Sequence, residues 1–185
     1  MIQSLKKNID NFISKATRNQ DRKSITTDLK QEYRGVINHL WFKHQYCRFH
    51  VQKKLNKDIR DYIKINKVSK DEEKEIRKYK QEINDILNSE TYDLAHNKLE
   101  ILKNKIEELP EIIGEIIMDF VSPYLRNLTF CLEDENIEST TNKIENCFQK
   151  IFPKHIKRLM KTEKGIVTRI ALKISYWNSR NRVDF

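Results

Sequence analysis

Glycine and proline are unusually scarce in this sequence, with three of each among 185 residues. Because tight turns depend on these two residue types, such low numbers favour long helices over a sandwich or barrel. The length fits one domain, or one fold that is interrupted by an inserted subdomain. We therefore predict a mainly α chain with a small α/β part.

The apolar segments and the cysteines narrow the class of protein. No apolar run reaches the roughly 18 residues of a membrane span, and residues 1–15 are amphipathic where a secretory signal would be apolar. Cys47, Cys131 and Cys147 form no CxxC pair, which is typical of reduced thiols. We expect a cytoplasmic protein that has no membrane partner and no disulfide.

Positive charge is concentrated at the C-terminal end. The formal net charge is +9, and residues 146–185 hold ten Lys and Arg against two acids, a net +8. Basic side chains next to aromatic ones suit a surface that contacts nucleic-acid phosphates, although a solvated basic face without a partner has the same composition. The basic residues that we predict to bind nucleic acid are Lys150, Lys154, Lys157, Arg158, Lys161 and Lys164.

The first fifty residues have the pattern helix, strand, helix, strand. Apolar residues recur every three or four positions over 2–16, which predicts an amphipathic helix. The β-branched run over 24–27 predicts a strand that ends at Asp28, and a helix containing residues 33–40 should follow. Residues 44–49, which are rich in aromatic side chains, predict a second strand. Strand, helix, strand is a piece of α/β structure.

Residues 51–125 have helical periodicity throughout, over a length that several ordinary helices would fill. A first helix begins at Val51. Ser69 with Glu72 three positions on predicts a capping box that opens a second helix. We expect this second helix to end at Asn88.

A seam of apolar residues spaced by three and four runs over 102–120. Pro110 lacks a backbone donor and clashes with the preceding turn, so it predicts a break or kink near Leu109. The seam is interpreted as core, with a coiled-coil contact to a partner chain as the alternative. Ser122-Pro123 is expected to close this helical segment.

Beyond a polar stretch, Thr140 or Thr141 is predicted to cap a helix that begins at Asn142. Glu145 lies at the edge of the apolar stripe of this helix. A proline stop separates it from a last amphipathic helix over 163–177. The apolar residues predicted on the packed side of the first of these helices are Ile144, Phe148 and Ile151.

Asp28 and Glu145 are the acids that could carry chemistry. Two-metal phosphoryl transfer requires carboxylates that converge on two divalent cations about 4 Å apart. A strand end places an aspartate rigidly, and a helix packed on the same sheet could present a glutamate from the side. Taken alone, a strand-end aspartate is more often a helix cap and a helical glutamate more often a solvated surface acid.

Two stretches resemble DDE transposases with an RNase H-like fold. Residues 24–34, S-I-T-T-D-L-K-Q-E-Y-R, look like the region of the second catalytic aspartate. In the insertion-sequence and Mutator-like groups a C-x-x-H pair lies on the strand after that aspartate, and Cys47 and His50 match it. Residues 141–146, T-N-K-I-E-N, are similar to the T-N-x-x-E-N signature that carries the catalytic glutamate.

The resemblance implies a partial RNase H-like fold interrupted by an all-helical insertion. Residues 1–50 would be the partial RNase H-like segment with the second catalytic aspartate, and 51–135 the helical insertion. Residues 136–185 would be a C-terminal helical segment with the catalytic glutamate and the basic tail. It further implies that Asp28 and Glu145 are catalytic and bind Mg²⁺ or Mn²⁺.

The remaining motif residues are given supporting roles by the same resemblance. Cys47, His50, Thr141 and Asn142 surround the two acids in sequence. Cys47 and His50 could alternatively ligate zinc, but no second ligand pair with a short spacing is present. A structural role for Cys47 and a general-base role for His50 stay open. The expected partners are the DNA ends of an insertion element and a possible second copy of the chain.

One departure from the family pattern concerns the first aspartate, which the family carries on an upstream strand. Asp10 and Asp21 are the candidates, and neither follows a predicted strand. We therefore expect a truncated transposase that has little activity by itself. The alternatives are a non-enzymatic helical nucleic-acid-binding protein and a helical interaction protein that pairs through its apolar seam.

Overall fold

The computed structural model describes residues 2–19, 21, 23–159 and 162–180; the side chains of residues 2–5, 144, 147, 151, 157, 174, 177, 178 and 180 are not described. The chain divides into two compact units, residues 1–141 and 142–185. The structure is mainly helical with a small parallel sheet of two strands, which confirms the predicted fold class. Among the described residues, no helix is long and apolar enough to cross a lipid bilayer. The predicted division into three parts stays a prediction.

The first unit begins with the predicted helix α1 (Ile2–Ala16) and a parallel β-α-β motif. Strand β1 (Ser24–Thr27) leads into α2 (Gln31–His39) and then into β2 (Lys43–Tyr46). The two strands pair from Ser24 opposite Lys43 to Thr27 opposite Tyr46. A small core of its own holds α1 and α2 beside the sheet. Its members are Val36, Ile37, Leu40 and Phe42, with Ile9, Ile13, Ile25 and Tyr33 packed against them.

The second strand is shorter than predicted. It ends at Tyr46, and Arg48 and Phe49 already belong to the first turn of α3 (Arg48–Asn66). The physical reason lies in the partner strand: β1 ends at Thr27, so the ladder closes with the bond from the Cys47 N–H to the Thr27 carbonyl. Without a further partner on β1, the backbone turns into a helix.

The larger core of the first unit is built by the helices that follow β2. Helix α4 (Lys70–Leu87) begins after Ser69, whose side chain accepts a hydrogen bond from the Glu72 N–H, one of the two hydrogen bonds of the predicted capping box. Helix α5 (Tyr92–Lys103) is capped in the same way by Thr91. Their inner faces bury apolar side chains together with residues of α3. The fully buried members include Leu55, Ile76, Ile83, Ala95 and Leu99.

The apolar seam is interrupted where proline was expected to interrupt it. After α5, a short 3₁₀ turn (Ile106–Glu108) leads to Pro110, which precedes α6 (Glu111–Ile116). Most of the seam residues are buried inside this chain, which confirms the core interpretation and leaves Ile106 partly buried. The buried seam residues are Leu102, Leu109, Ile113, Ile116 and Phe120.

Ser122-Pro123 does not close the helical segment, contrary to the prediction. A π-helical turn (Ile117–Val121) leads directly into α7 (Ser122–Thr129), in which Pro123 lies in the first turn. Proline is tolerated there because the first turn of a helix has no intrahelical acceptor for its missing N–H. A 3₁₀ turn (Phe130–Leu132) ends this part of the chain.

The second unit consists of α8 (Asn142–Ile151), α9 (Lys154–Leu159) and α10 (Glu163–Arg180). Helix α8 begins at the predicted residue, and Pro153 separates it from α9. Phe148 was predicted on the packed side of α8, but it is 50% exposed. An amphipathic pattern identifies the apolar face of a helix, but the side chains on that face are buried only where a neighbouring element packs against it.

Candidate functional site

Asp28 lies at the carboxyl end of β1, as predicted. Because β1 and β2 are parallel and Thr27 pairs with Tyr46, Asp28 and Cys47 follow the two strands at the same edge of the sheet. The side chain of Asp28 is 29% exposed. Its carboxylate is therefore accessible from solvent while its backbone is fixed by the strand. A carboxylate in this position can take a ligand without a change in the sheet.

The carboxylate of Asp28 does not cap helix α2 in the usual sense. The N-cap residue of α2 is Lys30, which makes no side-chain cap. Instead, Asp28 Oδ1 accepts a hydrogen bond from the Lys30 N–H at 3.2 Å, and Lys30 Nζ lies 3.7 Å from Oδ2. Since a carboxylate has about four acceptor positions, this local turn uses part of its capacity.

The chain returns to this edge of the sheet through residues 138–141. Thr26 Oγ1 donates to the Glu138 carbonyl at 2.5 Å, and the Arg48 N–H donates to the Ser139 carbonyl at 2.8 Å. Thr141 is bound to the thiol that follows β2. These contacts join residues that are more than ninety positions apart in sequence, with 112 positions between Thr26 and Glu138. They hold the last residues of the first unit against Thr26, Cys47 and Arg48.

Cys47 is fully buried and accepts hydrogen bonds at Sγ from the Thr141 N–H at 3.3 Å and the Thr141 Oγ1 at 3.4 Å. Burial raises the pKa of the thiol, but the hydrogen bonds to Thr141 and His50 outweigh it, so the pKa lies below its ordinary value. The family resemblance implies that the Cys47-His50 pair lies on a strand. It lies instead at the N-cap and in the first turn of α3. Within the described part of the chain, no three His, Cys, Asp or Glu side chains form a metal centre.

His44 supports the backbone of Asp28, a role that the sequence analysis missed. It is 1% exposed, and its Nε2 lies 2.7 Å from Thr27 Oγ1, which itself donates to the Asp28 carbonyl at 2.8 Å. Thr27 has one hydroxyl proton, so His44 must donate from Nε2. Burial and the nearby Arg34 guanidinium lower the pKa of His44 to about 4. Its imidazole is therefore neutral near neutral pH.

Gln45 was also missed, and it anchors β2 to the helical core. Its buried side-chain amide donates to the carbonyls of Tyr46 and Leu128 and accepts from the Cys131 N–H at 2.9 Å. Asn127 adds a bond from Nδ2 to the His44 carbonyl at 2.8 Å. A buried amide with several partners is a strong constraint because each unmade bond would be costly. A polar residue in the centre of a short strand was the available signal.

Glu145 lies in the second unit, in the first turn of α8, and is partly exposed. Thr141 and Asn142 mark the end of the first unit and the start of the second. Because Asp28 and Glu145 belong to different units, their combination into one site stays a prediction. Four of the predicted phosphate-binding residues have exposed side chains, the side chain of Lys157 is not described, and Lys161 lies outside the described residues. The four are Lys150, Lys154, Arg158 and Lys164.

Comparison with known proteins gives one clear relationship. The chain is 29% identical over 175 residues, 95% of its length, to an insertion element ISM1 uncharacterized 48.3 kDa protein of Methanobrevibacter smithii. It spans 44% of that protein, less than half of the relative's length. No protein-family model matches the chain. No solved structure matches it either. The chain is thus homologous to a protein of an insertion element.

Proposed function

We propose that this chain is part of an insertion-element transposase of the DDE type. The observation that carries the proposal is an aspartate, Asp28, at the carboxyl end of a parallel strand in a chain homologous to an insertion-element protein. The T-N-x-x-E-N resemblance at residues 141–146 supports it by giving the glutamate, Glu145, its own motif. The type of transposase rests on these motifs.

Asp28 and Glu145 would hold the divalent cation, Mg²⁺ or Mn²⁺. Carboxylate oxygens are the hard ligands that these ions prefer, and the partly exposed carboxylate of Asp28 has acceptor capacity beyond its bond to Lys30. When bound, the metal pair supplies Lewis-acid stabilisation of the attacking and leaving oxygens. The chain's own contribution is to fix the carboxylate: the bonds from His44 through Thr27 to the Asp28 carbonyl hold the strand end.

We assign the complete strand-transfer reaction to a protein as long as the M. smithii relative. The present chain matches 44% of that relative, and two carboxylates alone would hold metal weakly and misplace a nucleophile. Asp10 is an inner residue of α1, where its carboxylate accepts a bond from Ser14, and Asp21 lies in an irregular segment. Neither follows a strand, as the sequence predicted, so neither is proposed as the third ligand.

A calorimetric titration with Mn²⁺ tests the proposal directly. Wild type should bind the ion weakly, and Asp28→Asn and Glu145→Gln should each abolish binding, because each removes one negative oxygen ligand from the same ion. Asp21→Asn is the matched control, since it removes one exposed acid close to Asp28 in sequence. Equal binding by all four proteins, or loss in only one site variant, would contradict a shared metal site.

A non-enzymatic nucleic-acid-binding protein is the second candidate, favoured by the exposed basic side chains of the second unit. Lys150, Lys154, Arg158 and Lys164 are exposed. This function requires salt-sensitive DNA binding that Mn²⁺ leaves unchanged, and no metal binding at Asp28. The same titration therefore separates the two candidates, once it is repeated with DNA present.

A further inference from the structure

One face of helix α10 combines cations with exposed apolar and aromatic groups. Along it, side chains recur every four residues from position 164 to position 176, with two more cations one position on from this row. The face borders a shallow depression of about 740 Å³. We call it the α10 face. Its members are Lys164, Thr168, Arg169, Leu172, Lys173 and Tyr176.

The α10 face has a charge of one sign. Lys164 and Lys173 are exposed and Arg169 is partly exposed. Glu163, at the first position, is the one acid in the sequence of α10, and it does not line the depression. Exposed cations at this density attract a polyanion, because binding releases the polyanion's condensed counterions. The α10 face therefore suits a polyanion better than it suits a protein surface with few acidic residues.

The apolar groups on the same face bear on the form of the polyanion. Tyr176 is 52% exposed and Leu172 is 67% exposed, and Lys173 Nζ lies 5.9 Å from the centre of the Tyr176 ring. A duplex buries the faces of its bases inside the stack, whereas a single strand offers them to aromatic side chains. An aromatic ring beside cations at helical spacing therefore suits unpaired bases with their phosphates.

We propose that the α10 face binds single-stranded DNA, with Lys164, Arg169 and Lys173 on phosphates and Tyr176 stacked on a base. The inference deepens the proposed transposase function and rests on it for the identity of the polyanion as DNA. It adds Arg169, Lys173 and Tyr176 to the residues that the sequence predicted, and it assigns them a substrate form.

Fluorescence anisotropy with a labelled oligothymidine, measured across a salt series, tests the phosphate contacts. The plot of log K against log salt has a negative slope, to which each phosphate contact on a single strand contributes about 0.7. The triple variant Lys164→Gln, Arg169→Gln, Lys173→Gln should therefore make this slope shallower by about 2. The control variant Lys70→Gln, Lys74→Gln, Lys78→Gln removes the same charge from an exposed face of α4. It should leave the slope unchanged, and equal slopes for the two variants would overturn the proposal.

The stacking contact has its own measurement. Tyr176→Ala should weaken oligothymidine binding about tenfold, whereas Tyr176→Phe should bind as wild type because it keeps the ring. A wild-type preference for duplex over oligothymidine, or a Tyr176→Ala variant that binds normally, would overturn the single-strand assignment. So would a change in oligomeric mass caused by Tyr176→Ala, since it would identify a second copy of the chain as the occupant. Circular dichroism confirms that each variant is folded.

Failure of this inference is distinguishable from failure of the proposed function. Loss of Mn²⁺ binding in Asp28→Asn and Glu145→Gln concerns the carboxylates, and it can be found whether or not the α10 face binds DNA. Conversely, the chain could bind no Mn²⁺ and still bind oligothymidine through Lys164, Arg169 and Lys173. That result would support DNA binding by the α10 face and contradict the proposed metal site.

Discussion

His44 lies in an environment unlike that of a surface histidine. It is buried beside Arg34, and its Nδ1 has no hydrogen-bond partner among the described residues. The guanidinium of Arg34 is held at Tyr124, to whose hydroxyl its Nη1 donates at 2.5 Å. A proton on His44 would place two cations together in a buried region. The imidazole therefore stays neutral near neutral pH.

This environment predicts a pH-dependent stability. The unfolded chain has an ordinary histidine pKa of 6.5, and the folded chain has one of about 4. Between these values the unfolded state binds a proton that the folded state lacks, so the free energy of unfolding falls as the pH falls. From about pH 7 to about pH 5, wild type should lose about 2 kcal/mol more than His44→Gln, measured by urea denaturation. His39→Gln, at an exposed position, should behave as wild type; a parallel loss in His44→Gln would contradict the assignment.

Among the elements, the helix starts were the most predictable features. Ser69 and Glu72 predicted the start of α4 because a cap is a local interaction between neighbouring residues. Pro110 predicted the break between α5 and α6 for the same reason. The end of β2 was mispredicted because it depends on where β1 ends and on Ser139, a residue far along the chain. The aromatic residues of 44–49 do not indicate where the partner strand ends or that Ser139 contacts this segment.

The Ser69 cap predicts a measurable loss of stability. Ser69→Ala removes the acceptor for the Glu72 N–H, and it should lower the free energy of unfolding by about 1 kcal/mol. Ser69→Asp keeps an acceptor at the same position and should stay close to wild type. Thermal and urea unfolding of the three proteins compare them; a Ser69→Asp variant as unstable as Ser69→Ala would mean that the hydroxyl acts other than as a cap.

At the scale of the whole molecule, the two units differ sharply in charge. Residues 142–185 hold eleven Lys and Arg against three acids, a net +8, which leaves +1 for residues 1–141 out of the total of +9. Composition alone predicted this asymmetry and the nucleic-acid hypothesis that follows from it. The support of Asp28 by His44 and Thr27 could not be predicted in that way, because it depends on the register of two strands.

The charge asymmetry predicts where DNA affinity lies. A chain that ends at Thr141 should lose nearly all affinity for DNA at low salt, since it retains a net charge of +1. Its far-UV circular dichroism per residue should stay that of a helical protein, because the buried apolar cluster of α3 to α7 lies within residues 1–141. Anisotropy measured on both chains checks this. Undiminished binding by the shorter chain would move the DNA-binding surface into the first unit.

The bond between the Arg48 N–H and the Ser139 carbonyl, 2.8 Å long, brings together the two ends of the segment that contains α3 to α7. Both ends of this segment are therefore held together beside β2. Insertions, deletions or substitutions in helices far from these two ends would leave Asp28 in its place. The residues that evolution must keep are instead the few that contact β2, among them Asn127 and Leu128.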